Sequence, residues 1–83
     1  MTPIETVRNF VHQNFYIPED IVLADDASLL EQGIVDSTGV LEVTAFLEST
    51  YGIVVVDDEI VPANMDSINS IAAFVTRKCA LAA

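Results

Sequence analysis

The chain has 83 residues, and its thirteen acidic and three basic side chains give a net charge of −10 at pH 7. A hydrophobic content of 52% is too high for a disordered chain, so residues 1–83 are expected to form one small folded domain. Twelve carboxylates lie between residues 9 and 76, where lysine and arginine are absent. This negative field excludes nucleic acid as a partner, and we expect a monomer whose partners present basic patches.

The cellular setting is indicated by features that the sequence lacks. Cys79 is the one cysteine, so no internal disulfide can form, and we expect it to be an ordinary helix residue. No apolar run reaches the roughly 18 residues of a membrane span, and the N-terminus lacks the basic and apolar regions of a secretion signal. We therefore expect a soluble cytoplasmic protein without stable membrane insertion.

The first predicted helix covers residues 3–15. Thr2, Pro3 and Glu5 form the signature of a capping box with proline at the first helical position. Pro18 ends the pattern, because proline cannot continue a helix. The apolar residues that follow the cap recur at helical spacing: Ile4, Val7, Phe10, Val11 and Phe15.

A long loop is predicted over residues 16–36, with one turn of helix near Ser28. Loops of this length are uncommon in small domains and are often functional or held by their own apolar residues. We expect four apolar side chains to hold this loop against the core: Ile21, Leu23, Leu29 and Ile34.

The second predicted helix begins at Asp36 or Ser37, either of which can cap it, and ends near Tyr51, where Gly52 is a typical stop. This helix is apolar on two faces. The stripe that we expect to face the core contains Val40, Val43, Leu47 and Tyr51. The stripe on the opposite side contains Thr38, Leu41, Ala45 and Glu48.

The remaining chain predicts one short and one long helix. Residues 53–56 are expected to be extended, and Asp57 and Asp58 to cap a short helix that runs through Val61. Asp66 or Ser67 then caps the last helix, whose final residues 80–83 are expected to fray. Its predicted buried stripe is Ile68, Ile71, Ala72, Val75 and Cys79. The predicted fold is therefore all-α, with three main helices, one short helix and a long loop between helices one and two.

The second stripe of helix two predicts a docking surface. If the first stripe is buried, Leu41 and Ala45 lie in water beside Glu42 and Glu48, and an apolar patch with an acidic rim is typical of such surfaces. Alternatively, helix two is the central helix of the bundle and buries both stripes. The two interpretations differ in the exposure of Leu41.

Ser37 is a poor candidate for a catalytic nucleophile. Such a serine needs a base, and the one histidine, His12, is flanked by polar residues that predict a surface position. The hydrolase motif G-x-S-x-G is half present, because Val35 replaces its first glycine while Gly39 matches the second. No metal-binding pattern is present either. We therefore expect a protein that is not an enzyme and holds no metal ion.

As an attachment point, Ser37 is better placed. A serine at a helix N-terminus that follows a loop is accessible to a modifying enzyme. A phosphate ester there would lie against the positive end of the helix dipole, which stabilises it by roughly 0.3 to 1 kcal/mol. The residues alone indicate an anionic group without naming it.

The site resembles that of a known family. The residues Leu30-Glu31-Gln32-Gly33-Ile34-Val35-Asp36-Ser37, an acidic helix and then Tyr51-Gly52-Ile53 resemble the acyl carrier proteins over nearly the whole chain. This resemblance implies that Ser37 accepts 4′-phosphopantetheine from coenzyme A and that Asp36 assists the phosphopantetheinyl transferase. It also implies docking of basic partners at Thr38, Leu41, Glu42, Ala45 and Glu48.

The residues after Ser37 differ from the common acyl carrier pattern, which has leucine there. Asp36-Ser37-Thr38-Gly39 is more similar to the Asp-Ser-Met-Gly of D-alanyl carrier proteins, and residues 61–68 are similar to stand-alone aminoacyl and specialised acyl carriers. The resemblance therefore implies a specialised or aminoacyl carrier, loaded by an acyl- or aminoacyl-activating ligase, rather than the carrier of fatty-acid synthesis. The alternative is an acidic helical interaction module in which Ser37 is only a helix cap.

Overall fold

The computed structural model describes residues 2–82, in which the regular secondary structure is entirely helical. The long helices are α1 (Pro3–Asn14), α2 (Ser37–Tyr51) and α4 (Ile68–Ala82). A 3₁₀ turn (Asp57–Glu59) and the short helix α3 (Pro62–Met65) lie between α2 and α4. The predicted all-α class, with three main helices and a long loop between the first two, is confirmed.

Local capping signals fix most of the helix ends. The Thr2 hydroxyl accepts a hydrogen bond from the Glu5 N–H at 3.2 Å, and α1 ends one residue earlier than predicted. At the end of α2, Gly52 has the positive φ of 66° that ends many helices. Ser67 caps α4, because its hydroxyl accepts the Ser70 N–H at 3.0 Å. That helix continues through residue 82, and Ala83, the last residue of the segment predicted to fray, lies outside the described residues.

The predicted short helix over residues 57–61 is wrong. Asp57 and Asp58 belong to the 3₁₀ turn instead of capping an α-helix, and the residue that precedes the turn is Val56. Val61 has extended backbone angles, φ −131° and ψ 155°, because the residue before a proline avoids the helical region. Pro62 then starts α3, since its fixed φ suits the first helical position.

One cluster of buried apolar residues lies where α4 contacts the other three helices. Leu23, Leu29 and Ile34 of the long loop belong to this cluster as predicted, whereas Ile21 is half-buried. On α2, Val43 and Leu47 are buried, and the two ends of their stripe are partly buried. Most of the predicted α4 stripe is buried and Cys79 partly so, but Val35 and Phe74 are core residues that the periodicity did not identify.

The long loop is attached to α1 and to the start of α4. The Arg8 guanidinium donates to the Leu23 carbonyl at 2.8 Å and pairs with the Asp25 carboxylate. The Asp25 carbonyl accepts the Asn69 N–H at 2.8 Å. A segment without regular secondary structure is thus held at defined points.

Glu59 connects the 3₁₀ turn to α4. Its carboxylate accepts the Val56 N–H at 3.1 Å and the Lys78 ammonium at 3.0 Å. The hydrogen bond from Val56 and then that from Lys78 lower the pKa of Glu59 below its ordinary value of 4.5. A carboxyl whose pKa is lower in the folded state stabilises the fold above its unfolded pKa, and this contribution is lost as the pH falls through the folded value.

Glu59→Gln is therefore expected to lower the urea midpoint at neutral pH and to have a smaller effect in acid. Urea unfolding of both proteins, followed by circular dichroism from about pH 7 to about pH 3, measures the difference. The gap between the midpoints should close as the wild-type carboxyl becomes protonated. A gap of the same size at both ends of the pH range would contradict the assignment.

Candidate functional site

Ser37 is the first residue of α2 and is exposed. Asp36, the residue before it, has extended backbone angles, and its Oδ1 accepts the Gly39 N–H at 2.6 Å. Asp36 is therefore the cap of α2, which decides between the two caps that the sequence allowed. The hydrogen bonds described for residues 2–82 do not use the Ser37 side chain. Its hydroxyl is accordingly free of a capping role.

Buried loop residues hold the segment that leads into Ser37. Val35 is 1% exposed, and the N–H groups of Ile34 and Val35 both donate to the Leu29 carbonyl, at 3.0 and 3.2 Å. The Leu29 N–H donates in turn to the Asp66 carbonyl at 2.7 Å. Gly33 makes the turn with a φ of 69°. These hydrogen bonds thus fix the segment that leads into α2, although that segment has no regular secondary structure.

Asp66 makes further hydrogen bonds to the same loop. Its carboxylate accepts the Ser28 hydroxyl at 2.6 Å and the Leu30 N–H at 2.9 Å. The Gln32 N–H donates to the Ser28 carbonyl at 3.1 Å, which forms the turn that was predicted near this serine. The sequence indicates Asp66 only as a candidate cap of the last helix, and its contacts with a segment 38 residues away have no local sequence signal.

The second stripe of α2 is on the surface. Leu41 is 57% exposed, whereas Val43 and Leu47 of the other stripe are buried. Helix α2 therefore buries one stripe, and the alternative in which it buries both does not hold. All the residues predicted for docking are exposed: Thr38, Leu41, Glu42, Ala45 and Glu48. One oxygen of Glu48 accepts the Val55 N–H at 3.0 Å, which fixes that carboxylate near the end of the helix.

Two clefts of different character flank the start of α2. An apolar cleft of about 180 Å³ is lined by Ser37 and by residues of the long loop, α2 and α3, among them Leu30, Val40 and Met65. A second cleft of about 310 Å³, between the end of α1 and α2, is lined in part by Phe15, Asp36 and Glu42. Neither cleft was predicted, because each depends on how distant segments pack. Together they leave the chain around Ser37 open on two sides.

The sequence offers His12 and the acidic side chains as candidate catalytic and metal-binding groups. His12 is exposed in the last turn of α1, and no hydrogen bond described for residues 2–82 joins it to Ser37. Over the same part of the chain, no group of three or more His, Cys, Asp or Glu side chains is arranged to hold a metal ion. None of the described helices has the length and apolar content needed to cross a membrane.

Comparison with known proteins does not place this chain in a family. No model of a known protein family matches it, and no curated protein matches it either.

Proposed function

We propose that this chain is a carrier protein whose Ser37 bears 4′-phosphopantetheine. The thiol of that arm would hold acyl or aminoacyl cargo as a thioester and present it to partner enzymes in the cytoplasm. The observation that carries the proposal is an exposed serine at the first position of α2, beside an aspartate that already caps the helix. The Ser37 hydroxyl is therefore available for attachment and is not needed for folding.

The attachment step requires no catalytic residue from this chain. The Ser37 oxygen attacks the phosphorus on the pantetheine side of coenzyme A, the P–O bond to 3′,5′-ADP breaks, and the hydroxyl proton passes to a base of the transferase. Asp36 would assist at the transferase's magnesium ion. The N–H groups at the start of α2 and the helix dipole favour the anionic phosphodiester that results.

The exposed face of α2 is suited to recognition by basic partners. Leu41 and Ala45 supply apolar contacts, and Glu42 and Glu48 supply charge. Since the net charge is −10, the field should speed encounters with basic transferases and ligases by about 10- to 10³-fold at low salt. Such steering raises association rates more than affinity, which suits a carrier that must leave each partner.

The residues after Ser37 favour one class of carrier over another. Thr38 is exposed at the position where common acyl carriers have leucine, so partners that grip a leucine there would lose an apolar contact. We therefore propose a specialised or aminoacyl carrier. Its loading would require an activating ligase, and its chemistry would be supplied by the arm and by the partners.

Intact-mass spectrometry tests the attachment. The purified protein is incubated with coenzyme A and a phosphopantetheinyl transferase of broad specificity, and a parallel sample lacks coenzyme A. The proposal predicts a gain of one phosphopantetheine per chain in the first sample and none in the second. A complete absence of the gain would refute the proposal and leave an acidic interaction module as the alternative.

Leu41→Ala and Glu42→Lys are each expected to lower kcat/KM for arm transfer by about tenfold, with little change in helicity. A residue that anchors a docking surface costs more than about 1 kcal/mol when it is lost, and a tenfold effect corresponds to about 1.4 kcal/mol. Glu19→Lys, at an exposed position of the long loop, is the control for Glu42→Lys because it changes the net charge equally. Equal effects of the two charge reversals would contradict a local docking site.

A further inference from the structure

The third residue of α2 is a glycine that the backbone does not require. Gly33 and Gly52 have positive φ angles, whereas Gly39 does not and lies within a regular helix. Alanine is the better helix former at such a position, because glycine loses more conformational freedom on folding. Gly39 is also buried. Close packing therefore explains the missing side chain.

The neighbour that needs this space is the ring of Phe15. A Cβ atom on Gly39 would lie 2.8 Å from Phe15 Cε1, 3.1 Å from Val35 Cγ1 and 3.3 Å from Asp36 Oδ1. The first of these distances is shorter than a van der Waals contact allows, so the ring or the start of α2 would have to move. Since Phe15 directly follows α1, the contact places the end of one helix against the first turn of the next.

Phe15 also contacts the ring of Phe10, which in turn contacts that of Phe46. Phe10 meets Phe15 edge to face, with ring centroids 6.0 Å apart, and stacks on Phe46 with centroids 4.1 Å apart. Both arrangements are favourable for aromatic pairs. Phe46 belongs to α2, so the three rings connect the end of α1 to the middle of α2 while Phe15 reaches its first turn.

We infer that the close approach of Phe15 to Gly39 sets the position of the first turn of α2, and with it the position at which Ser37 is offered to the transferase. The oxygen of Asp36 that would be crowded is the same atom that caps the Gly39 N–H at 2.6 Å. A side chain at Gly39 would therefore disturb the Asp36 cap, which directly precedes Ser37. Gly39 and Phe15 are positioning residues for the attachment step, and the inference rests on the proposed function.

Gly39→Ala is expected to lower kcat for arm attachment by about tenfold or more, because a small misplacement of a nucleophile is costly in rate. The KM for the carrier should stay within about twofold, since the exposed docking residues of α2 are unchanged. Adding Phe15→Leu to Gly39→Ala removes the crowded ring atom and should restore kcat to within about threefold of wild type. Ser49→Ala, an exposed change in the same helix, is the control.

Rates are measured with a phosphopantetheinyl transferase and saturating coenzyme A, and folding is checked by circular dichroism. A wild-type kcat in Gly39→Ala, or a double variant no faster than Gly39→Ala, would overturn the inference. If Gly39→Ala does not fold, the double variant provides the test. A double variant that folds and accepts the arm would support the contact, and a double variant that fails to fold or to accept the arm would overturn it.

A wild-type protein that accepts no arm would refute the proposed function instead. The contact is then tested by the hydrogen-exchange protection of the amide at position 39, which reports the Asp36 cap. Protection that falls in Gly39→Ala and returns in the double variant would support the positioning contact. Unchanged protection in Gly39→Ala would overturn it.

Discussion

Ser37→Ala is expected to abolish arm attachment completely while leaving the fold intact. The covalent bond requires the serine oxygen, which alanine lacks. The side chain is exposed, and α2 is capped by Asp36, so the free energy of unfolding should change by no more than about 0.5 kcal/mol. Intact mass after incubation with coenzyme A and transferase measures the first effect, and urea unfolding measures the second.

Ser49→Ala is the matched control for this substitution. Ser49 is also an exposed serine of α2, but it lies near the end of the helix and away from the Asp36 cap. The control variant should accept the arm at the wild-type rate. Attachment that persists in Ser37→Ala would contradict the assignment of the site, and a loss of attachment accompanied by unfolding would contradict the claim that Ser37 has no structural role.

Leu29→Ala is expected to lower the free energy of unfolding by about 2 to 5 kcal/mol, the usual cost of a cavity at a fully buried leucine. Leu29 is completely buried, although it lies in a loop. Its carbonyl accepts two N–H groups of the segment that leads into Ser37, and its own N–H binds Asp66. Loss of its side chain should therefore also loosen the entry to α2, which hydrogen exchange of the Val35 amide would detect.

Leu30→Ala serves as the control, because the residue is adjacent in sequence but 39% exposed. Its truncation should cost less than about 1 kcal/mol, since less of the side chain leaves water on folding. Urea unfolding followed by circular dichroism gives both values. Equal losses for the two leucines would mean that the loop is not held by Leu29 in particular.

The features that were predictable are those with local sequence signals. Thr2 and Gly52 lie at helix ends because their side chain or backbone satisfies groups that the helix leaves unpaired. The start of α4 was predicted to within two candidate caps, Asp66 and Ser67, of which Ser67 is the cap. At the start of α2 both Asp36 and Ser37 can cap, and local sequence cannot choose between them. In the structure Asp36 is the cap, so the Ser37 hydroxyl has no capping role.

The features that were missed depend on contacts between distant segments. The Ser28 and Asp66 side chains meet across 38 residues, and neither residue type indicates a partner at that distance. Phe74 is buried beside the predicted stripe because α4 contacts all three other helices, which widens its buried face. The predicted short helix was wrong because Pro62 divides that segment into a 3₁₀ turn and α3.

The closeness of Gly39 to Phe15 could not be predicted either. In the sequence, Gly39 is half of a hydrolase motif and the last residue of the motif that resembles D-alanyl carriers, and neither pattern indicates a contact with an aromatic ring. Periodicity places Phe15 at the end of α1 without saying what its ring contacts. The structure brings the two residues together because α1 and α2 are joined through Phe10 and Phe46. A local pattern therefore identified the serine, while tertiary packing determines how the serine is presented.

Tandem mass spectrometry of the modified wild-type protein tests most directly whether Ser37 bears the phosphopantetheine arm. After incubation with coenzyme A and transferase, the protein is digested and the modified peptide is fragmented to locate the added mass. We expect one phosphopantetheine per chain, attached at Ser37. An arm attached to another residue, or an unmodified Ser37 under conditions that modify a known carrier, would contradict it.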